Sequence, residues 1–346
     1  MLKMSELRRL QRVSSGTLTV SIPQEYVHHL GLKQGDNVMI EEGIDGTLAL
    51  IPIGRRSKSV KAVIKVDVVE SVELLSKVIE SCYMLGYDSI ELTSKNGIPN
   101  DHLERITQTL RRLRGVEIVQ SSENGLLAQS FMDPSKFPVD SLIKRLQLLV
   151  SRSLDHSIEA LRNGNPMLLK EISKIQGEMD ELYWLIVRQL LGALSNREVS
   201  ARIGLESPLH TSGDRVSAKT IEEIGRIIQE LTEEIVNFRE AGMAIEEMNM
   251  TRIEELAKSA KESFEATIEG LLAPEIHIIT KALGKIETTI SLERKITMEF
   301  LRSEEPHMRT IISDYGQLAR YCNIIVEIAL NRLLRRTSKV AVIEEQ

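Results

Sequence analysis

From residue 138 to 336 the chain repeats apolar residues at helical spacing, and only short polar or proline-bearing stretches break the repeat. Leu142, Leu146, Leu149, Leu154, Ile158 and Leu161 recur near i, i+4, which places them on one face of a helix. Asn163-Gly164-Asn165-Pro166 ends that helix, and a second is expected to run to about residue 194. A looser segment holding Gly204, Pro208 and Gly213 follows, then a third helix over 216–238. Three more are expected over 245–272, 274–301 and 306–336, with Pro274 and Pro306 as first-turn prolines. Six helices with a break in the middle predict two successive three-helix bundles.

A chain of 346 residues is too long for one ordinary core, so two or three domains are expected. Aromatic residues make up only 3% of it, so the cores must be built from Leu, Ile, Val and Met, which suits helix packing. The net charge of -6 argues against a globally basic nucleic-acid coat. A local basic patch remains compatible with it, because binding follows local potential. Cys82 and Cys322 are far apart and show no metal spacing, which fits a reduced compartment. The opening MLKMSELRRL lacks the apolar core of a signal peptide. No apolar run approaches the ~20 residues of a membrane span. A cytoplasmic protein without membrane insertion is expected.

The rest divides into two smaller parts. Residues 1–57 read as strands: 17–22 alternate, Pro23 stops them, 24–30 form one short helix, and 37–40 and 47–51 are strands joined through Asp45-Gly46. Lys33-Gln34-Gly35-Asp36 is a turn. Such a segment buries little by itself and exposes strand edges, problems that pairing with a second copy would solve. The polar linker GRRSKS at 54–59 leads into residues 58–134, which then alternate: strand 62–68, helix 72–85, strand 88–93, helix 101–113, strands 116–120 and 126–131. This predicts a small α/β sandwich. No Gly-rich phosphate loop sits at its strand-to-helix turns, so a nucleotide site is not expected. The bundles then fall at 135–242 and 243–346.

The front carries the more specific pattern. Gly16-Thr17-Leu18-Thr19-Val20-Ser21-Ile22-Pro23, then Leu30-Gly31-Leu32-Lys33-Gln34-Gly35-Asp36-Asn37-Val38, then Asp45-Gly46-Thr47-Leu48 resembles the AbrB/SpoVT DNA-binding domain. The resemblance implies a dimer in which two swapped hairpins share one β-barrel, with Gly16, Pro23, Gly35 and Asp36 setting its turns. It also implies DNA contact from basic residues near the N-terminus. Arg8, Arg9 and Arg12 are the matching positions, with Ser14 and Ser15 beside them. Arginines flanking a two-fold barrel can reach phosphates and base edges on both half-sites. Many relatives are basic just after the Ile-Pro, whereas this chain has Gln24, Glu25 and Tyr26, and His28 and His29 add charge only when protonated. Modest, salt-sensitive affinity is therefore expected.

In the helical part, EISKIQGEMDELYWLIVRQL at 171–190, KTIEEIGRIIQE at 219–230 and LARYCNIIVEIALNR at 318–332 resemble the PhoU family of phosphate-uptake regulators. Joined to an AbrB-like front, they resemble the archaeal PhoU-like regulators. That family commonly carries an acidic helical motif that binds divalent or ferric metal, with oxygens at i, i+4 and i+8 along one face. The first matching set is Glu222, Arg226 and Glu230, where Arg226 stands in place of an acid and would repel a cation. The second is Asn323, Glu327 and Asn331. The alternative for the first set is an i, i+4 ion-pair ladder on a solvated helix face.

Other candidates carry less. Glu178, Asp180 and Glu181 share one turn, as adjacent acids on exposed helices often do, and Trp184 reads as core or bundle edge. His156, His277 and His307 show no ligand spacing. With no nucleophile elbow, paired catalytic acids or metal-hydrolase motif, an enzyme is not expected. The sequence points to a homodimeric DNA-binding regulator of phosphate uptake or phosphate response, with promoter DNA as partner and the PhoU-like bundles receiving the signal. The alternative is a signalling adaptor that contacts the ATPase of a phosphate ABC transporter, or a sensor, without binding an operator.

Overall fold

The computed structural model describes residues 6–13, 16–42, 46–52, 59–195, 199–200, 203–205, 208–242, 246–300, 306–335 and 341. They form two compact units, Met1–Lys58 and Ser59–Gln346.

The first unit is built from two ribbons and a short helix. Strands β1 (Gln11–Arg12) and β2 (Leu18–Thr19) pair antiparallel, Gln11 opposite Thr19. Regular pairing is thus shorter than the six-residue alternation at 17–22 suggests. Helix α1 (Gln24–Leu30) starts directly after Pro23, whose carbonyl accepts from Val27 N at 3.0 Å. It stops at Gly31, whose φ of 58° lies in the left-handed region that glycine adopts at little cost. Gly35 repeats that device at φ 94°, and the Asp36 carboxylate accepts from Lys33 N at 2.8 Å. Strands β3 (Val38–Glu42) and β4 (Leu48–Pro52) form the second ribbon. The Tyr26 hydroxyl donates to Leu50 O at 3.4 Å and ties α1 to β4. A closed barrel requires strands from a second chain; within one chain the hairpins are two separate two-stranded sheets. Among the described residues of this unit none is buried.

The second unit begins with a four-stranded sheet in the order β5-β6-β8-β7: β5 (Lys61–Lys65), β6 (Ser89–Thr93), β7 (Val116–Ser122) and β8 (Gly125–Ser130). The β5–β6 pair is parallel and is linked through α2 (Val72–Met84), capped by Ser71, whose hydroxyl accepts from Leu74 N at 3.1 Å. The other pairs are antiparallel. Helix α3 (Asn100–Arg112) packs beside α2. Ile64, Ile90, Leu92, Leu126 and Ala128 alternate onto one sheet face and bury against Leu75, Ile79, Ile106 and Leu110 of those helices.

Six long helices follow: α4 (Val139–Asn163), α5 (Pro166–Ser195), α6 (Pro208–Glu240), α7 (Glu247–Leu272), α8 (Ile276–Phe300) and α9 (Pro306–Leu334). The trio α4–α5–α6 packs mutually, as does α7–α8–α9, and α9 also lies along α6 and α7 along α4. Both trios contribute to one continuous core, running from Val139 to Ala329. Helix α6 begins eight residues before the sequence reading placed it, so Gly213 lies inside a helix rather than in a loop. Its role is close approach. A Cβ there would stand 2.9 Å from Ile328 Cγ2 on α9, so only glycine admits the contact as it stands. No described helix is long and apolar enough to cross a membrane.

Candidate functional site

Of the predicted DNA contacts Arg12 lies on β1, and Arg8 and Arg9 just precede it. Arg8, Arg9 and Arg12 are all exposed. Arg8 Nη2 pairs with Glu6 Oε1 at 2.7 Å, which removes part of its charge. Arg9 and Arg12 face solvent without a carboxylate partner among the described residues. Ser14 and Ser15 lie outside the described residues. Gly16 sits in open space, Pro23 precedes α1, and Gly35 and Asp36 form the turn before β3.

The helical candidates separate into three polar clusters. The first centres on Glu222, which is only 1% exposed. Lys219 Nζ donates to its Oε2 at 2.6 Å, and Arg226 donates to its Oε1 from Nε at 2.6 Å, with Nη2 at 2.5 Å. The i, i+4 pair foreseen as a ladder is present, but its carboxylate is buried rather than solvated. Arg226 Nη2 also lies 3.9 Å from Asp180 Oδ1 on α5. Asp180 in turn accepts from Arg112 Nη2 at 3.1 Å and from Gln176 Nε2 at 3.1 Å. The hydrogen bond to Glu222 raises the Arg226 pKa, with burial working against it.

The second cluster lies between the trios. Asp314 of α9 faces Glu230 and Glu234 of α6, and His307 Nδ1 contacts Glu234 Oε1. Burial first, and then the two glutamates, push the Asp314 carboxyl up to about 6.

The third is a clasp. Arg332 of α9 donates from Nη2 to Asp214 Oδ1 of α6 at 2.6 Å and to Asp140 Oδ1 of α4 at 3.2 Å. Its Nη1 donates to Leu271 O at the end of α7 at 2.9 Å. Four helices therefore meet on one guanidinium. Burial raises the Asp214 pKa against the pull of Arg332, and the second oxygen of Asp214 has no partner among the described residues.

The PhoU domain family model matches residues 143–235. That span runs from α4 through α5 into α6, the first helix trio. No curated protein and no solved structure matches the chain.

The PhoU-like segment contains the first acidic set, and its geometry does not suit a metal ion. Both oxygens of Glu222 already hold cations. Arg226 occupies the next position of the face, and Glu230, a further turn on, is exposed. The second set runs along α9, with Asn323 half-buried and Glu327 and Asn331 exposed. Among the described residues no group of three or more His, Cys, Asp or Glu side chains is arranged to hold a metal ion.

What the sequence reading missed is the seam between α5 of the PhoU-like segment and the α/β layer. Asp180 and Glu181 are half-buried there: Arg112 meets Asp180, and Arg114 Nη2 donates to Glu181 Oε2 at 3.2 Å. Arg112 stacks over Trp184, which joins the α/β core, at 4.9 Å from the ring centroid. Arg188 Nη1 donates to the carbonyls of Tyr83 at 2.8 Å and Tyr87 at 3.0 Å. One signal was present. The cation-rich RRLR at 111–114 ends α3, and Asp180, Trp184 and Arg188 fall at i, i+4 and i+8 on α5.

Proposed function

We propose that the chain is a regulator of phosphate uptake or phosphate response that binds promoter DNA as a homodimer through its front and receives its signal in the helical bundles. The match of residues 143–235 to the PhoU domain supports the regulatory role in phosphate homeostasis, and a regulator rather than an enzyme. The front supports the rest. It buries none of its described residues, yet Leu18, Ile40 and Leu48 are 57%, 62% and 70% exposed. A ribbon pair that exposes this much apolar surface is completed by a second copy, which fits the swapped-hairpin barrel of the AbrB/SpoVT resemblance. Pairing also doubles Arg9 and Arg12, which have no carboxylate partner among the described residues and can meet phosphates. Signal binding then changes how the trios pack and thereby the availability of the two DNA-contacting faces.

A shift of the chain's own upstream DNA in a gel tests this. The full-length protein is expected to shift it at low salt and to lose affinity steeply as salt rises. Replacing Arg8, Arg9 and Arg12 together by alanine should abolish the shift, and replacing any one of them should flatten the salt slope by about one unit. Two observations favour the adaptor reading: Arg8 is paired with Glu6, and Glu25 stands in the first turn of α1. No shift at low salt, together with capture of a phosphate transporter ATPase, would favour it over operator binding.

A further inference from the structure

We propose that Arg226 is a resident cation: its guanidinium takes, from within the chain, the place beside the buried Glu222 that a metal ion would take in an acidic helical ladder. The α5–α6 contact of the PhoU-like segment is thereby independent of metal. Three observations converge on it. Glu222 is 1% exposed and has one cation on each oxygen, Lys219 Nζ at 2.6 Å and Arg226 Nε at 2.6 Å. A hard cation binding there would have to displace both and recruit a shell of oxygens that the face does not offer, because position i+4 is the arginine itself. The helices also leave little room. At Gly225 a Cβ would stand 2.5 Å from Gln176 Oε1 and 2.9 Å from Met179 Sδ, both on α5. Finally, the charge of Arg226 is passed on. Its Nη2 reaches toward Asp180 at 3.9 Å, and Asp180 is held by Arg112 of α3 at 3.1 Å. Alternating charges run without interruption from α3 through α5 to α6.

The chemical consequence follows from the nature of guanidinium. It does not lose its proton in proteins and it cannot be chelated away. The cation beside Glu222, and the seam that depends on it, is therefore independent of metal supply. A metal-bridged ladder would loosen as the metal is withdrawn.

Full-length protein, melted with and without EDTA and analysed for bound metal, tests the assignment. The wild-type melting temperature is expected to move by less than about 1 °C with EDTA. Arg226→Gln, which leaves Glu222 with Lys219 alone, should lower it by about 3–6 °C and should weaken amide protection in α3 as well as α5. Arg226→Asp, which places an acid at i+4, should melt lower still and regain several degrees on addition of Mn2+ or Fe3+. If that variant does not fold, the Arg226→Gln result decides. An unchanged melting temperature in Arg226→Gln overturns the proposal. So does an EDTA-sensitive wild type whose sensitivity and bound metal vanish in Glu222→Gln. Bound metal that persists in Glu222→Gln lies elsewhere and supports it.

Discussion

The front unit and the helical body solve the burial problem in opposite ways. Over residues 6–52 the described chain places no side chain in the interior, while the body has a core that runs without interruption through six helices. The body can even keep an acid such as Asp214 at 1% exposure, because Arg332 meets it. The difference teaches where each part gets its stability. The body gives some of its packing to buried ion pairs, whereas the front, among its described residues, leaves apolar side chains such as Leu18, Ile40 and Leu48 exposed.

Breaking the clasp should give the largest effect. Arg332→Met leaves Asp214 buried and unpaired and is expected to destabilise the body by about 3–5 kcal/mol in denaturant unfolding followed by helical signal. A loss below about 1 kcal/mol would mean that solvent reaches Asp214 and that the pair is weak.

A smaller effect, with a pH signature, is expected at Asp314. Its folded pKa of about 6 lies above its ordinary 3.8, so the folded state holds the proton more tightly. Stability is then fully present below about pH 4 and falls as pH rises through about 6. Asp314→Asn should raise stability at pH 8 by about 1 kcal/mol, discounted for the partial exposure of the site, and should do nothing at pH 4. Equal gains at both pH values would trace the effect to packing instead.

The smallest effect on the body is expected from the front. Leu48→Ser should leave helical unfolding within about 0.5 kcal/mol of wild type, yet lower the mass measured by sedimentation. An unchanged mass would show that Leu48 is not at a copy-to-copy surface.

The sequence made some of this contrast readable and hid the rest for physical reasons. Helix starts and stops are local chemistry, so Pro23, Gly31, Pro166 and Pro306 marked their boundaries within a residue or two. Gly213 misled because a glycine needed for helix–helix approach has the same letter as one that ends a helix, and only Ile328, more than a hundred residues on, tells them apart. Asp180 and Glu181 looked like solvated acids because their partners, Arg112 and Arg114, lie 68 and 67 residues away. Arg226 was readable as the odd residue in an acidic pattern, since i, i+4 neighbours are visible in one dimension. The burial of Glu222 beneath it was not.

Helix α5 has thirty residues, and it belongs to two cores at once. Trp184 is counted among the side chains of the α/β layer, Leu182 and Leu185 among those of the bundles, and Met132 and Tyr183 pack against both. Neither core can lose this helix and stay intact. Calorimetry should accordingly find the sheet and the six helices melting in one cooperative transition, with equal calorimetric and van't Hoff enthalpies. A single transition would make the α/β layer, in thermodynamic terms, an outer layer of the bundle, and two transitions would make it a separate domain.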